Sequence, residues 1–455
     1  MNPRIFREYD IRGVADRDLP DDLVRALGLA IGEAAYGGGP IVVGRDCRLT
    51  SPRLHAALTD GLRILADVID IGIVPTPVAY FAQQHLRPAA TVMITGSHNP
   101  AEDNGFKIML GEETLHGQAI TELGARVAAC ERLGYSFVKS RVGSQTSIDV
   151  TDAYIDRAVA ELRLGTRRPK VVVDAGNGAG GPTAVTLYTR LGFDVVPLYC
   201  DFDGRFPNHH PDPTQPENLA ALITAVQYFG AELGIALDGD ADRVGAVDAT
   251  GRILWGDQLM VLLGRAVLAE VPDARFVAEV KCSQTMYDAL PSCEMWKVGH
   301  ALIKKRLRQT GAQLAGEMSG HLFFAHRWLG FDDGIYAGAR LLELLSRTNR
   351  TLAGLAAELP TAVNTPEIRV DCPDEVKFEI VERVTESLRG DPGVRGVITI
   401  DGVRARFADG WGLVRASNTQ AALVVRCEAK DQTALREIRE TIDAHVARAT
   451  NVSTR

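Results

Sequence analysis

Short apolar runs recur along this chain, each followed by a cluster of Gly, Asp, Asn or Ser and then by a stretch with helical spacing. An unbroken apolar run between turn signals reads as a buried strand, and apolar positions three or four apart read as one face of a helix. A strand is therefore expected at Ile41 to Val43, a loop at Gly44-Arg45-Asp46, a helix from Ser51 to about Ala66, a strand at Val68 to Val74 and a short helix from Pro77. These lead to a strand at Ala90-Thr91-Val92-Met93-Ile94. The pattern resumes near Arg167 with a strand ending at Asp174, a helix opening near Pro182, a helix from Glu217 to Phe229 and a strand from Leu233 to Leu237. A third stretch gives helix Asp257 to Glu270, strands Arg275 to Val280 and Glu294 to Val298, helix Ala301 to Gln309 and strand Gln313 to Ala315.

Strands alternating with helices of this length indicate doubly wound α/β units, which bind ligands at the carboxyl ends of their strands. The three stretches repeat loosely in pattern, not in residue identity. From about Thr361 the order changes to a strand, a helix Asp374 to Leu388, two or three strands (Val397 to Ile400, Val403 to Phe407, Ala422 to Cys427) and a closing helix Gln432 to Ala447. That order implies an α+β layer pair. With the first linker placed at Val138 to Gln145, the expected division is three α/β domains with mixed sheets, 1–142, 143–249 and 250–360, and an α+β domain, 361–455.

Composition changes this picture little. A length of 455 residues fits several cores, and 46% hydrophobic with 24% charged residues is ordinary for a soluble protein. The formal net charge of -8 argues against a nucleic-acid partner, so an anionic ligand would need a local basic pocket. Seven cysteines (Cys47, Cys130, Cys200, Cys282, Cys293, Cys372, Cys427) are odd in number and lack metal-site spacing, which points to buried thiols in a reducing compartment. Met1 to Gly13 has no apolar core and no run approaches a membrane span, so a cytoplasmic protein without a membrane partner is expected, a monomer with a dimer as the alternative.

Candidate chemistry sits where the strands end. After the Ala90 to Ile94 strand comes Thr95-Gly96-Ser97-His98-Asn99-Pro100, then Asn104-Gly105-Phe106-Lys107. A hydroxyl on such a loop, with an imidazole beside it and an ammonium near, can act as a nucleophile, although a serine in a turn also serves as a simple cap. After the Leu233 to Leu237 strand comes Asp238-Gly239-Asp240-Ala241-Asp242-Arg243. Alternating carboxylates make a hard oxygen site for a small divalent cation. It is not an EF-hand loop: the sixth position is Arg243 where Gly is needed, and the twelfth is Ala249 where Glu is needed. The third unit offers Lys281, the pair Gly299-His300 and Gly316-Glu317-Met318-Ser319-Gly320-His321. The fourth offers Arg415-Ala416-Ser417-Asn418-Thr419, whose guanidinium, hydroxyls and amide suit a phosphate. A competing signal is Gly176-Asn177-Gly178-Ala179-Gly180-Gly181, which fits a dinucleotide fingerprint with Asp201 following. Asp174 and Ala175 separate the strand from its first Gly, and Pro182 sets the helix start late, which weakens a nucleotide-binding reading.

Together, Thr-Gly-Ser-His-Asn-Pro and Asp-Gly-Asp-Ala-Asp-Arg resemble the phosphohexomutase superfamily, and within it the bacterial phosphomannomutase/phosphoglucomutase branch, with all four loops in order. The resemblance implies four domains around a central cleft, the last swinging to close it. It implies reversible phosphoryl transfer between O1 and O6 of a hexose through phosphorylated Ser97 and a hexose 1,6-bisphosphate, which also serves as activator. Mg²⁺ would be held by Asp238, Asp240, Asp242 and an oxygen on Ser97; Arg243 and Lys107 would offset charge on the moving group. Tyr9 and Arg12, in Tyr9-Asp10-Ile11-Arg12-Gly13, would line the cleft. Glu317 and Ser319 would hold O3 and O4, with Lys281, His300 and His321 beside them, and Arg415, Ser417, Asn418 and Thr419 would clamp the distal phosphate. Proton transfer would fall to Arg12, His98, Lys107, His300 or His321. Ala421 stands where the family often has Pro. Ser-Asn-Thr, with Gly96 before the serine, separates the chain from phosphoglucosamine mutase, which remains the alternative ahead of a Mg²⁺-dependent sugar phosphatase.

Overall fold

In a computed structural model of the chain, residues 2–133, 142–418 and 420–451 are described. Thr419 and the first half of the Val138 to Gln145 stretch lie outside them. Four sheets follow one another along the sequence. The first runs in the order Ile11–Val14, Asp103–Leu110, Ala90–Ile94, Ile41–Arg45, Val68–Ile73, Gln145–Ser147. Its pairings from Ala90–Ile94 outward to Gln145–Ser147 are parallel, whereas Asp103–Leu110 and Ile11–Val14 are antiparallel. The second sheet pairs Leu233–Leu237 in parallel with Val171–Asp174 and antiparallel with Val244–Asp248. The third sets Cys293–Trp296, Phe276–Glu279 and Leu314–Gly316 parallel, with Leu322–Phe324 antiparallel at the edge. The fourth sheet is antiparallel in every described pairing, under the helices Lys377–Arg389 and Gln432–Asn451.

One device therefore recurs. In each α/β unit a buried parallel strand ends, a short loop turns, and an antiparallel strand carries the chain back: Ile94 pairs with Phe106, Leu237 with Val244 and Gly316 with Leu322. The fourth unit does the same with an antiparallel hairpin, Ala416 opposite Leu423. All four candidate loops are hairpin tips, held at both ends by ladder hydrogen bonds. The return strands of the three α/β units are not part of the pattern-based reading, because they are interrupted by Lys107, broken by Gly245 or only three residues long.

Several elements shift from expectation by a few residues. The helix expected to reach Ala66 ends at Leu62, and that expected from Glu217 divides into a 3₁₀ turn, Pro216–Leu219, and a helix, Ala220–Tyr228. Helix Gly334–Ser346 is absent from the sequence reading altogether. It is buried on nearly every side, although its larger apolar residues share one face and Arg340 and Glu343, three residues apart, share another. It lies in the core shared by the second and third units, where Tyr188 Oη donates to Ile335 O at 2.9 Å. The fourth unit has a separate core built on Val384, Leu413-flanking Val414, Val425 and Ile442.

Candidate functional site

Ser97 occupies the first hairpin tip with φ of 51°, a left-handed conformation that costs a non-glycine residue about 1–2 kcal/mol. Its amide donates to Thr95 Oγ1 at 2.8 Å, and its side chain is turned to the second hairpin, Oγ donating to Asp238 Oδ2 at 2.9 Å. His98 Nδ1 lies 3.1 Å from the same oxygen. Ser97 is only 2% exposed, yet it lines the floor of a cleft of about 1370 Å³.

Asp238, Asp240 and Asp242 are fully buried, and ligand atoms from the three lie within 4.8 Å of one another. Lys107, on the serine hairpin's return strand, donates to Asp240 Oδ2 at 2.7 Å and to Asp242 Oδ2. Thr76 adds a hydroxyl to Asp240 Oδ2 at 2.6 Å and an amide to its carbonyl at 2.9 Å. Burial pushes the Asp238 carboxyl well up, helped by its two acidic neighbours. Burial acts the same way on Asp240, but Lys107 and Thr76 outweigh it and hold that carboxyl well below the usual range. Asp240 Oδ1 and Asp242 Oδ1 are buried with no hydrogen-bond partner. Orphaned carboxylate oxygens beside a hydroxyl are what a small hard cation requires, so these residues fit Mg²⁺.

The glycine-rich loop supports this hairpin. Ala179 N donates to Gly239 O at 2.9 Å, and a Cβ on Gly178 would stand 2.6 Å from that same oxygen. The backbone of the metal loop fills the space a pyrophosphate would need, and helix Gly181–Arg190 begins one residue before Pro182, beyond the last loop glycine but one. The nucleotide-binding reading is thereby set aside. Beside it, His209 Nδ1 lies 2.9 Å from His210 O and Nε2 3.0 Å from both Asp174 oxygens. Both ring nitrogens face acceptors, so the ring is an imidazolium. Burial lowers its proton affinity, but the bond and charge of Asp174 more than restore it, leaving the pKa above its ordinary value. A folded pKa above the unfolded one gives stability that is complete below about pH 6.5 and is lost as pH rises through the folded value. The melting temperature should fall across that window, and His209→Gln should flatten the fall while lowering the melting point at acid pH; a variant curve parallel to the wild type would contradict the pairing.

The third hairpin tip brings Glu317 into the cleft, its Oε1 accepting from Gly299 N at 2.6 Å, with Ser319 Oγ 3.4 Å from Oε2. His321 Nε2 accepts from Arg243 Nε at 2.9 Å, and its Nδ1 lies 3.2 Å from Asp332 Oδ2 and 3.5 Å from Asp242 Oδ1. His300 Nδ1 is 3.6 Å from Asp332, which also pairs with Lys304 at 2.9 Å. Burial, joined by nearby cations, pushes both His98 and His300 well below the ordinary imidazole range, so each is a neutral base.

In the fourth tip Arg415 is buried and its Nη2 pairs with Asp401 at 3.1 Å, while its Nε makes no hydrogen bond. Tyr9 Oη donates to Val298 O at 2.7 Å and accepts from Asn418 Nδ2 at 2.6 Å, joining the first, third and fourth units across the cleft. Arg12 is braced by Asp10 and by Asn99 Oδ1, the latter at 2.8 Å. Lys281 pairs with Glu367 at 3.0 Å. Tyr9, Arg12, Ser97, His98, Lys107, Arg243, Lys281, His300, Glu317, Ser319, His321, Arg415, Ser417 and Asn418 all line this one cleft; the three aspartates lie just beneath it. Thr76, Asp332, Lys304 and Asp401 belong to the site and escape the sequence reading. Only Asp332 carries a local signal, as half of Asp332-Asp333-Gly334, where Asp333 caps the helix by accepting from Tyr336 N.

Comparison with known proteins agrees with this arrangement along the whole chain. Family models for phosphoglucomutase/phosphomannomutase match in order: α/β/α domain I at residues 3–129, domain II at 152–251, domain III at 255–363 and the C-terminal domain at 367–445. A phosphomannomutase/phosphoglucomutase of Pseudomonas putida is 44% identical over 98% of this chain and 96% of its own. A phosphoglucomutase of Neisseria gonorrhoeae is 43% identical over 97% of this chain and 96% of its own. A crystal structure of a phosphoglucomutase/phosphomannomutase family protein from Burkholderia thailandensis superposes with a TM-score of 0.91 at 42% identity, covering 99% of this chain and 98% of that one. Four hairpin tips facing one cleft, matched domain by domain over nearly the full length, make this chain a member of the phosphoglucomutase/phosphomannomutase family.

Proposed function

We propose that this protein interconverts the 1- and 6-phosphates of mannose and glucose, through phosphorylated Ser97 and a hexose 1,6-bisphosphate. The observation that carries the reading is the direct meeting of Ser97 Oγ with Asp238 at 2.9 Å, on the floor of a cleft whose other wall holds a buried Arg415 with an unpartnered Nε. The names of the relatives support mannose and glucose over glucosamine. The segments 1–142, 143–249, 250–360 and 361–455 then contribute one loop each: nucleophile, metal, sugar and phosphate.

In the transfer, the bond from phosphorus to Ser97 Oγ breaks as a sugar hydroxyl oxygen bonds to phosphorus. Mg²⁺ bound by Asp238, Asp240 and Asp242 would offset negative charge on the phosphoryl group and on Ser97 Oγ. Burial works against the charge of Arg243, but Asp238 and Asp242 outweigh it and hold the proton more firmly, so its guanidinium would stabilise the same oxygens. The hydroxyl proton goes to a neutral base. Lys107 is held protonated by Asp240 and Asp242 in spite of burial, His321 Nε2 is taken by Arg243, and Arg12 is braced by Asp10. That leaves the neutral imidazoles of His98 and His300. The bisphosphate then turns round and returns its other phosphoryl group to Ser97. Arg415, Ser417, Asn418 and Thr419 read only a phosphate, so they accept either end of the sugar. Phosphosugars are too charged to cross a bilayer, which fits a cytoplasmic enzyme; among the described residues no helix is long and apolar enough to cross a membrane.

A coupled assay with glucose 1,6-bisphosphate tests the reading. Mannose 1-phosphate and glucose 1-phosphate should be isomerised with kcat/KM within about tenfold of each other, and glucosamine 1-phosphate far more slowly. Inorganic phosphate appearing faster than isomer would identify a phosphatase instead.

A further inference from the structure

Arg48 lies between strand Ile41–Arg45 and helix Ser51–Leu62, and its side chain has no solvent exposure. Both terminal nitrogens of its guanidinium are spent on the serine hairpin. Nη2 donates to Ser97 O at 2.7 Å and Asn99 O at 2.6 Å; Nη1 donates to Asp103 O at 2.9 Å and to Pro100 O. Asp46 completes the mount: Oδ1 accepts from Arg48 N at 3.0 Å, and Oδ2 accepts from Gly96 N at 3.2 Å and lies 3.2 Å from Arg48 Nε. Gly96 lies flat against the same group, since a Cβ there would stand 2.5 Å from Arg48 Cζ and 2.6 Å from Nε. None of these contacts reaches the open part of the cleft.

We propose that Arg48 is a positioning residue for the nucleophile: by gathering four carbonyls of the hairpin tip it holds Ser97 in its left-handed conformation, with Oγ at Asp238. Without it Ser97 O would lose its buried donor, and of the other three carbonyls Pro100 O would keep the amide of Asp103 at 3.1 Å. A planar fork with five N–H groups satisfies them from one point, which a lysine cannot do. A trans peptide turns its N–H opposite to its C=O, so anchoring Ser97 O also directs His98 N–H away from Arg48. The glycine before the serine is the steric counterpart of this arginine, and the two act as one fitting.

The proposal rests on the mutase reading, and wild-type turnover in the coupled assay checks that reading first. In active enzyme, Arg48→Ala should lower kcat by about 100-fold or more, the scale expected when a reacting atom is displaced by an ångström. KM for the sugar phosphate should stay within about threefold, because the sugar and phosphate loops are untouched. Sub-denaturing guanidinium should restore a large part of kcat, and Arg48→Lys should not. Intact-mass spectrometry after exposure to the bisphosphate should show slow phosphorylation of Ser97. Should Arg48→Ala not fold, Gly96→Ala, which leaves the charge in place and displaces the guanidinium, must show the same fall in kcat with KM held. A folded Arg48→Ala enzyme, or a Gly96→Ala enzyme, with kcat near wild type overturns the proposal, as does a loss expressed only in KM.

Discussion

Ser97→Ala is expected to reduce mutase turnover by about 10⁴-fold or more, the scale seen when a covalent nucleophile is removed from a prearranged site. The substitution takes away one atom and leaves the hairpin's other supports. Arg48 holds the backbone carbonyl of residue 97, not its side chain, and Thr95 Oγ1 accepts from its amide. The remaining cost is that alanine must keep the φ of 51°, which serine bears already. The far wall is unchanged, so Arg415 and Glu317 should bind glucose 1-phosphate with an affinity within about tenfold of wild type, as calorimetry would show. Loss of catalysis with retained binding identifies an atom needed for the chemical step. Retained turnover within tenfold of wild type, or isomerisation without any phosphorylated protein after exposure to bisphosphate, would remove Ser97 from the mechanism.

The two central loops are legible in the sequence because each follows a fully buried strand, Ala90–Ile94 or Leu233–Leu237, whose apolar run stops abruptly at polar residues. The chain announces these places locally. What brings them together is not local. Thr76 reaches Asp240 across a sequence separation of 164 residues, and Tyr9 reaches Asn418 across 409, and nothing near Thr76 or Tyr9 marks the partner. The return strands are hidden for a related reason: Lys107 interrupts an apolar pattern in order to reach Asp240 and Asp242. A charged residue in the middle of a buried strand breaks the periodicity that would reveal the strand, and here it does so for the sake of the site. Helix Gly334–Ser346 buries even its polar face, with Arg340 and Glu343 paired inside at 3.1 Å, which the sequence does not announce.

The cleft closes through the same long-range contacts. Val298 offers its carbonyl to Tyr9 and its amide to Asp401 Oδ2 at 3.0 Å, and Asp401 also faces Arg415. One residue thus joins the first, third and fourth units just before His300. Under the proposed function, a distal phosphate at Arg415 would compete with Asp401 for that guanidinium, and Asp401 holds the amide of Val298. Binding at one end of the sugar would in this way be connected to the geometry at the other, which a reaction that reverses its substrate requires.

Asp240→Asn should raise the Mg²⁺ concentration for half-maximal activity by about 100-fold or more, beyond the 10- to 100-fold typical of changes one shell further out. The argument turns on which way the new amide can face. Asp240 Oδ2 receives two donors, Thr76 Oγ1 at 2.6 Å and Lys107 Nζ at 2.7 Å, while Oδ1 is buried without a partner. If the asparagine oxygen keeps the Thr76 and Lys107 bonds, its NH₂ takes the place of Oδ1 and presents hydrogens to the cation. If the amide turns over, the NH₂ confronts the Lys107 ammonium, which has no lone pair to accept with, and the charge-assisted bond is lost even if the Thr76 hydroxyl rotates to accept. Neither orientation restores the site, and in both a unit of negative charge beside Ser97 is lost. The second readout needs no turnover: Mg²⁺ should raise the melting temperature of the wild type by mass action on the folded state, and the rise should largely vanish in the variant at the same concentration. Wild-type metal dependence in both measurements would mean that the three buried aspartates, with Lys107 between two of them, form a structural ion cluster, and that the cation assisting Ser97 is held elsewhere.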